Sequence, residues 1–186
     1  MSHSRSFTLI ELVVTLGIIA LMLGAVIPNI GPFRQKQTLE RSAIELRNHI
    51  LEAQAYTLAP RRVDRNIVGY RFGFATAGGN ANTFATAKLG NPVGGLTTVA
   101  ACPDPNSILI DCFRLPAGIT FGTPTTWKAN PAGIYEIDFL IADRAKAQAS
   151  NGAAYVQTGT VDIPLIRGAD TKTVNVSLDT GSVTIE

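Results

Sequence analysis

Phe7-Thr8-Leu9-Ile10-Glu11-Leu12-Val13-Val14-Thr15-Leu16-Gly17-Ile18-Ile19-Ala20-Leu21-Met22-Leu23-Gly24-Ala25-Val26-Ile27-Pro28-Asn29-Ile30 is the stretch on which the architecture turns, and Glu11 is its only charged residue. The 16 residues from Leu12 to Ile27 carry no charge, and the full run from Phe7 to Ile30 is 24 residues long. As a helix that run extends ~36 Å, enough to cross a hydrocarbon core of ~30 Å. The polar hexapeptide Met1 to Ser6 precedes it and contains Arg5. A positive charge on that flank holds the N-terminus in the cytoplasm and places the rest of the chain outside. A secretory signal peptide would end its apolar run on a small-residue cleavage site and would not open it with a glutamate. A carboxylate costs up to ~2.5–3.5 kcal/mol at mid-membrane, so Glu11 calls for a reason.

Pairing with a positive charge supplies one. A cut between Ser6 and Phe7 would create a new α-amine four residues before Glu11. In an apolar fibre core the Glu11 carboxylate would neutralise the Phe7 amine of a neighbouring copy and set the axial register between copies. Ser6-Phe7-Thr8-Leu9-Ile10-Glu11-Leu12-Val13-Val14 resembles the cleavage and methylation motif of type IV prepilins and type II secretion pseudopilins. The resemblance implies that prepilin peptidase cuts before Phe7 and methylates its amine, and that Glu11 is the assembly glutamate. Pro28 falls where many members of that family carry a helix-breaking proline. One position departs from the pattern: the family usually has Gly before the cut, and here it is Ser6. Serine still fits a site selective for small side chains, so cleavage is expected, and the departure bears on its rate.

Pro28 lacks an amide hydrogen and Gly31-Pro32 follows, so a kink or a short melted stretch is expected from Pro28 to Pro32. Gly17 and Gly24 are either close-approach points for neighbouring helices or ordinary residues of a spanning helix. From Phe33 to Ala59 the pattern becomes that of a soluble amphipathic helix. Leu39, Ala43, Leu46, Ile50 and Ala53 recur at spacings of four and three, with Ile44, Leu51 and Leu58 beside them. Pro60 stops it. This stripe reads as the face on which a sheet packs, and His49 as a partly exposed residue of the same helix.

Beyond Pro60 the chain reads as short strands and turns. Tyr70, Phe72 and Phe74 alternate with Arg71 and Gly73; Tyr135, Ile137 and Phe139 alternate with Glu136 and Asp138. Val174, Val176 and Leu178 follow the same rule, and Val183 and Ile185 come after an Asp179-Thr180-Gly181 turn. Alternation of this kind predicts antiparallel pairing with one wet face. The Gly-, Asn-, Thr- and Ala-rich stretch from Ala75 to Gly95 reads as a long surface loop. Cys102 and Cys112 flank a Pro-Asp-Pro-Asn turn that leads into a strand over Ile108 to Phe113. They either form a disulfide, which export favours, or lie as two separate buried thiols. The layout is loosely similar to the GspH/FimT-like branch of minor pilins and pseudopilins.

The reading is therefore α+β. Its segments are a prepilin leader (1–6), a transmembrane and filament-core helix (7–30), an amphipathic second half of the helical spine (33–59) and a β-rich head (60–186). The side chains sum to +2 over 186 residues, and charged residues make up 16% of the chain against ~25% in ordinary soluble domains. Neither value demands nucleic acid as a partner. Arg61, Arg62, Arg65 and Arg71 are the one basic concentration; they read as phosphate contacts for DNA uptake or, with better support, as solvated charge near a helix end. No nucleophile elbow, phosphate loop, dinucleotide motif or zinc spacing occurs. No cofactor, metal or catalytic residue is expected. The expected partners are other pilin subunits, prepilin peptidase and the cytoplasmic membrane before assembly, with the head outside and then in an extracellular or periplasmic filament. The expected role is structural, in a type IV pilus or related filament; the rivals are a type II secretion pseudopilin and a DNA-binding minor pilin.

Overall fold

The computed structural model describes residues 8–26, 30–59, 67–78, 81–90, 109–126, 133–141, 147–150, 155–156 and 158–186. The chain divides into two compact units, Met1–Thr38 and Leu39–Glu186. The first contains α1 (Leu9–Val26) and the opening turns of α2 (Ile30–Leu58). Of the stretch expected to be kinked or melted, Pro28 to Pro32, the residues Ile30 to Pro32 are helical. Pro28 itself lies outside the described residues.

In the second unit α2 buries the anticipated stripe: Leu39, Ala43, Leu46, Ile50 and Ala53 are all enclosed. The strands are β1 (Ile67–Ala75), β2 (Thr83–Gly90), β3 (Leu109–Arg114), β4 (Thr120–Phe121), β5 (Ile134–Leu140), β6 (Ala147–Ser150), β7 (Tyr155–Val156), β8 (Thr160–Arg167), β9 (Asp170–Ser177) and β10 (Val183–Ile185). Among the described residues they form two sheets, β3-β2-β1-β5-β6-β7 and β10-β9-β8-β4. All the pairings are antiparallel, as expected. The α2 stripe, Phe72, Phe74, Tyr135, Ile137 and Phe139 of one sheet, and Ile163, Leu165, Val174 and Val176 of the other share one hydrophobic core. Truncating one of its fully buried side chains, such as Leu46 or Ile50, to alanine costs ~2–5 kcal/mol.

Two expectations are corrected. The stretch from Ala75 to Gly95 is not simply a loop, because Thr83–Gly90 is strand β2, paired on both sides between β1 and β3. Small residues suit a strand covered on both faces, and Thr83, Ala85, Thr86 and Ala87 are all buried. Nor is the far face of the larger sheet wet at its centre: Arg71, Glu136 and Asp138 are buried there. The alternation was real, but it separated an apolar core from a buried ionic cluster.

The C-terminal hairpin forms around Asp179-Thr180-Gly181, with Gly181 at φ +70° and its N–H donating to the Ser177 carbonyl. That left-handed backbone favours glycine, because a side chain at φ +70° would be strained whatever the space around it. Arg47, also on α2, donates its Nε to the Val183 carbonyl at 3.1 Å. That bond occupies an acceptor on the outer edge of β10, a position otherwise open to strand addition.

Candidate functional site

The N-terminal helix begins with a capping arrangement. Thr8 stands just before α1, and its carbonyl accepts from the amides of Glu11 and Leu12 at 3.1 and 3.3 Å. The Thr8 hydroxyl also accepts from the Glu11 amide, at 3.3 Å. Thr8-Leu9-Ile10-Glu11 thus has the Thr-x-x-Glu form of a capping box, a signal present in the sequence and missed there. Glu11 is exposed in the first turn, where a negative charge faces the positive end of the helix dipole. The Thr15 hydroxyl donates to the carbonyls of Glu11 and Leu12, both at 2.9 Å, so it is satisfied within the helix.

Along the rest of α1 the large apolar side chains from Leu9 to Leu23 are 51–81% exposed, and they point to every side of the helix. A helix that is apolar all round requires an apolar surrounding. Among the described residues, no helix is long and apolar enough to cross a membrane. The described α1 has 18 residues, or ~27 Å, and the longer span expected over 7–30 draws on residues outside the described ones. Ser6 and Phe7, the expected cleavage and methylation positions, also lie outside them.

The second concentration of chemistry is the ionic cluster of the head. Arg71 on β1 donates from Nε to Asp138 Oδ1 at 2.5 Å and from Nη2 to Oδ2 at 2.8 Å. Its Nη1 forms an ion pair with Glu136 Oε2 at 2.9 Å. The sheet register makes this possible: Arg71 pairs with Asp138 and Gly73 with Glu136, so both acids flank the guanidinium on one face. Burial pushes the Glu136 carboxyl up to about 7, against the opposing pull of Arg71 and with a further push from Asp138. Glu136 Oε1 is buried without a hydrogen-bond partner among the described residues. Two acids on one arginine make a structural cluster whose charge follows pH.

Arg71 is therefore withdrawn from the basic concentration proposed for DNA contact, and Arg61, Arg62 and Arg65 lie outside the described residues. His49 is half-buried, with its ring 3.9 Å from that of Phe113 and its Nδ1 3.5 Å from Glu52 Oε2. Cys112 is half-buried on β3 opposite Ala85, while Cys102 lies outside the described residues. None of the described cysteines is free. No group of three or more metal-ligating side chains occurs among the described residues.

Asp162 on β8 was not anticipated from sequence. It accepts from the amides of Thr125 and Thr126 and from both their hydroxyls. Burial pulls its carboxyl upward, but these hydrogen bonds together outweigh burial and hold it below the usual range. They tie the chain that follows β4 to the edge of β8.

Residues 1–27 match the family model for the prokaryotic N-terminal methylation motif. The chain thus carries the signature of the type IV pilin class, and the motif supports a pilin-like or pseudopilin precursor. No curated protein and no solved structure matches the chain.

Proposed function

We propose that the chain is the precursor of a structural, non-catalytic subunit of a type IV pilus or related filament. Prepilin peptidase cuts between Ser6 and Phe7 and methylates Phe7, and the subunit rests in the cytoplasmic membrane with its head outside. It then polymerises through the N-terminal helix, in which the Glu11 carboxylate meets the Phe7 amine of a neighbouring subunit. The observation that carries this reading is α1 itself. Its apolar side chains are exposed on every side, and its one carboxylate stands in the first turn. Such a surface suits lipid first and other copies of the same helix afterwards. A Cys102–Cys112 bridge belongs to the same reading; the chain has two cysteines and no described one is free.

Intact-mass and N-terminal peptide analysis of the membrane-derived protein tests the proposal. The expected mature chain begins at a methylated Phe7. Retention of Met1 to Ser6 in cells that contain the matching peptidase rejects it.

A further inference from the structure

Strand β8 runs from Thr160 to Arg167, but on its outer side β4 pairs only with Leu165 and Ile166. Residues 160–164 therefore form an edge with no strand beside it among the described residues. An open edge of this kind is a template for pairing with another chain. Here two bonds and a proline close it. The Pro164 carbonyl accepts from the Gly122 amide at 2.8 Å, and proline has no amide of its own to offer. The Asp162 amide donates to the Thr126 hydroxyl at 2.9 Å. Backbone groups turn alternately to the two sides of a strand, so the Thr160 amide faces the same edge as those of Asp162 and Pro164.

The chain that lies across this edge, residues 122–126, is held beyond Gly122 by one side chain. Asp162 is buried, and its carboxylate accepts from the Thr125 amide at 3.0 and 2.8 Å and from the Thr126 amide at 2.7 Å. Both threonine hydroxyls donate to it as well, and that of Thr126 is the same one that accepts from the Asp162 amide. Thr125, Thr126 and Asn175, its register partner on β9, are all uncharged. The carboxylate also bears on what could pair there. In an antiparallel pairing of two β8 edges about a two-fold axis at Asp162, the two carboxylates would stand opposite each other, an arrangement that like charges disfavour.

We propose that Asp162 is a latch that guards the β8 edge: it holds the strap of residues 122–126 across residues 160–164 and so keeps that edge from pairing with β8 of a second copy of the chain. The device concerns the head alone and stands whether or not the chain forms filaments.

Hydrogen exchange and sedimentation velocity of the full-length protein in neutral detergent test it. Asp162→Ala should leave the head folded, let the Thr125 and Thr126 amides exchange about tenfold faster, and tighten self-association about tenfold relative to wild type. Adding Thr160→Pro removes the outward donor of the freed edge and should return the protein to wild-type association. Thr126→Val keeps the side-chain shape but removes the acceptor for the Asp162 amide; it should shift association in the same direction, and it decides the matter if Asp162→Ala fails to fold. Threonine amides as protected in Asp162→Ala as in wild type overturn the latch. Wild-type association of a folded Asp162→Ala, or of Thr126→Val where Asp162→Ala does not fold, overturns the guarding role, as does association that survives Thr160→Pro.

Discussion

Arg71 and Asp138 are joined by two parallel hydrogen bonds, 2.5 and 2.8 Å long, on adjacent strands of the larger sheet, with Arg71 1% and Asp138 0% exposed. A bidentate pair so enclosed fixes the lateral register of β1 on β5, because a slip of one residue would carry the partners to opposite faces. Breaking such a pair on one side leaves a buried charge without its counterion. Arg71→Met should therefore destabilise the head by ~3–5 kcal/mol. The double variant Arg71→Met, Asp138→Leu should recover part of that loss. Chemical denaturation followed by circular dichroism measures both, and an Arg71→Met variant within ~0.5 kcal/mol of wild type contradicts the assignment.

The same cluster makes stability depend on pH. Glu136 is raised from its ordinary value of 4.5 to about 7 in the folded head. Its folded form therefore holds a proton more tightly than its unfolded form. The resulting stabilisation is complete below pH 4.5 and is lost as pH rises through about 7. At ~1.4 kcal/mol per pH unit the effect is on the order of 3 kcal/mol between those limits. Glu136→Gln should flatten this part of the profile, since the amide stays neutral throughout. Denaturation midpoints at intervals from pH 5 to about 8 give the comparison; unchanged pH dependence in the variant means that another group is responsible.

Glu11 separates insertion from assembly. Glu11→Ala lengthens the apolar run and costs α1 only the ~0.3–1 kcal/mol of a favourable first-turn charge. Membrane insertion and head folding should survive. Fibre incorporation should fall sharply, because a neighbour's Phe7 amine would remain in the core unpaired, at a cost of several kcal/mol. Glu11→Asp should do little better, as it draws the carboxylate back by roughly 1.5 Å. The ratio of subunit in sheared fibres to subunit in membranes reads the effect. Wild-type assembly by Glu11→Ala removes the pairing mechanism.

The proposed Cys102–Cys112 bridge closes a short loop and should stabilise the head by roughly 2–3 kcal/mol in the chain-entropy description. Non-reducing peptide maps of exported protein should contain the linked peptides. Two freely alkylated thiols would show that the residues are separate.

The sequence by itself determined the elements whose signal is local. An apolar run interrupted only by Glu11, a stripe at spacings of four and three from Leu39 to Ala53, and alternation at Tyr70 to Phe74 each encode the period of one helix or strand. The methylation motif was legible for the same reason, since a peptidase reads contiguous residues. Even the capping box was written there as Thr8-Leu9-Ile10-Glu11, although only the bond from the Glu11 amide to Thr8 showed it in use. Tertiary structure decided what depends on residues far apart in the chain. Arg71 meets Asp138 across a separation of 67 residues, so a charge that reads as solvated in sequence is buried by its pairing. Thr83 to Gly90 has the composition of a loop and becomes a strand because β1 and β3 satisfy its backbone from both sides. Asp162 gains its role only when Thr125 and Thr126 come back to β8, 36 to 37 residues away in sequence. Periodicity reports which side of an element is apolar; what covers the other side is settled by chain segments that no local pattern describes.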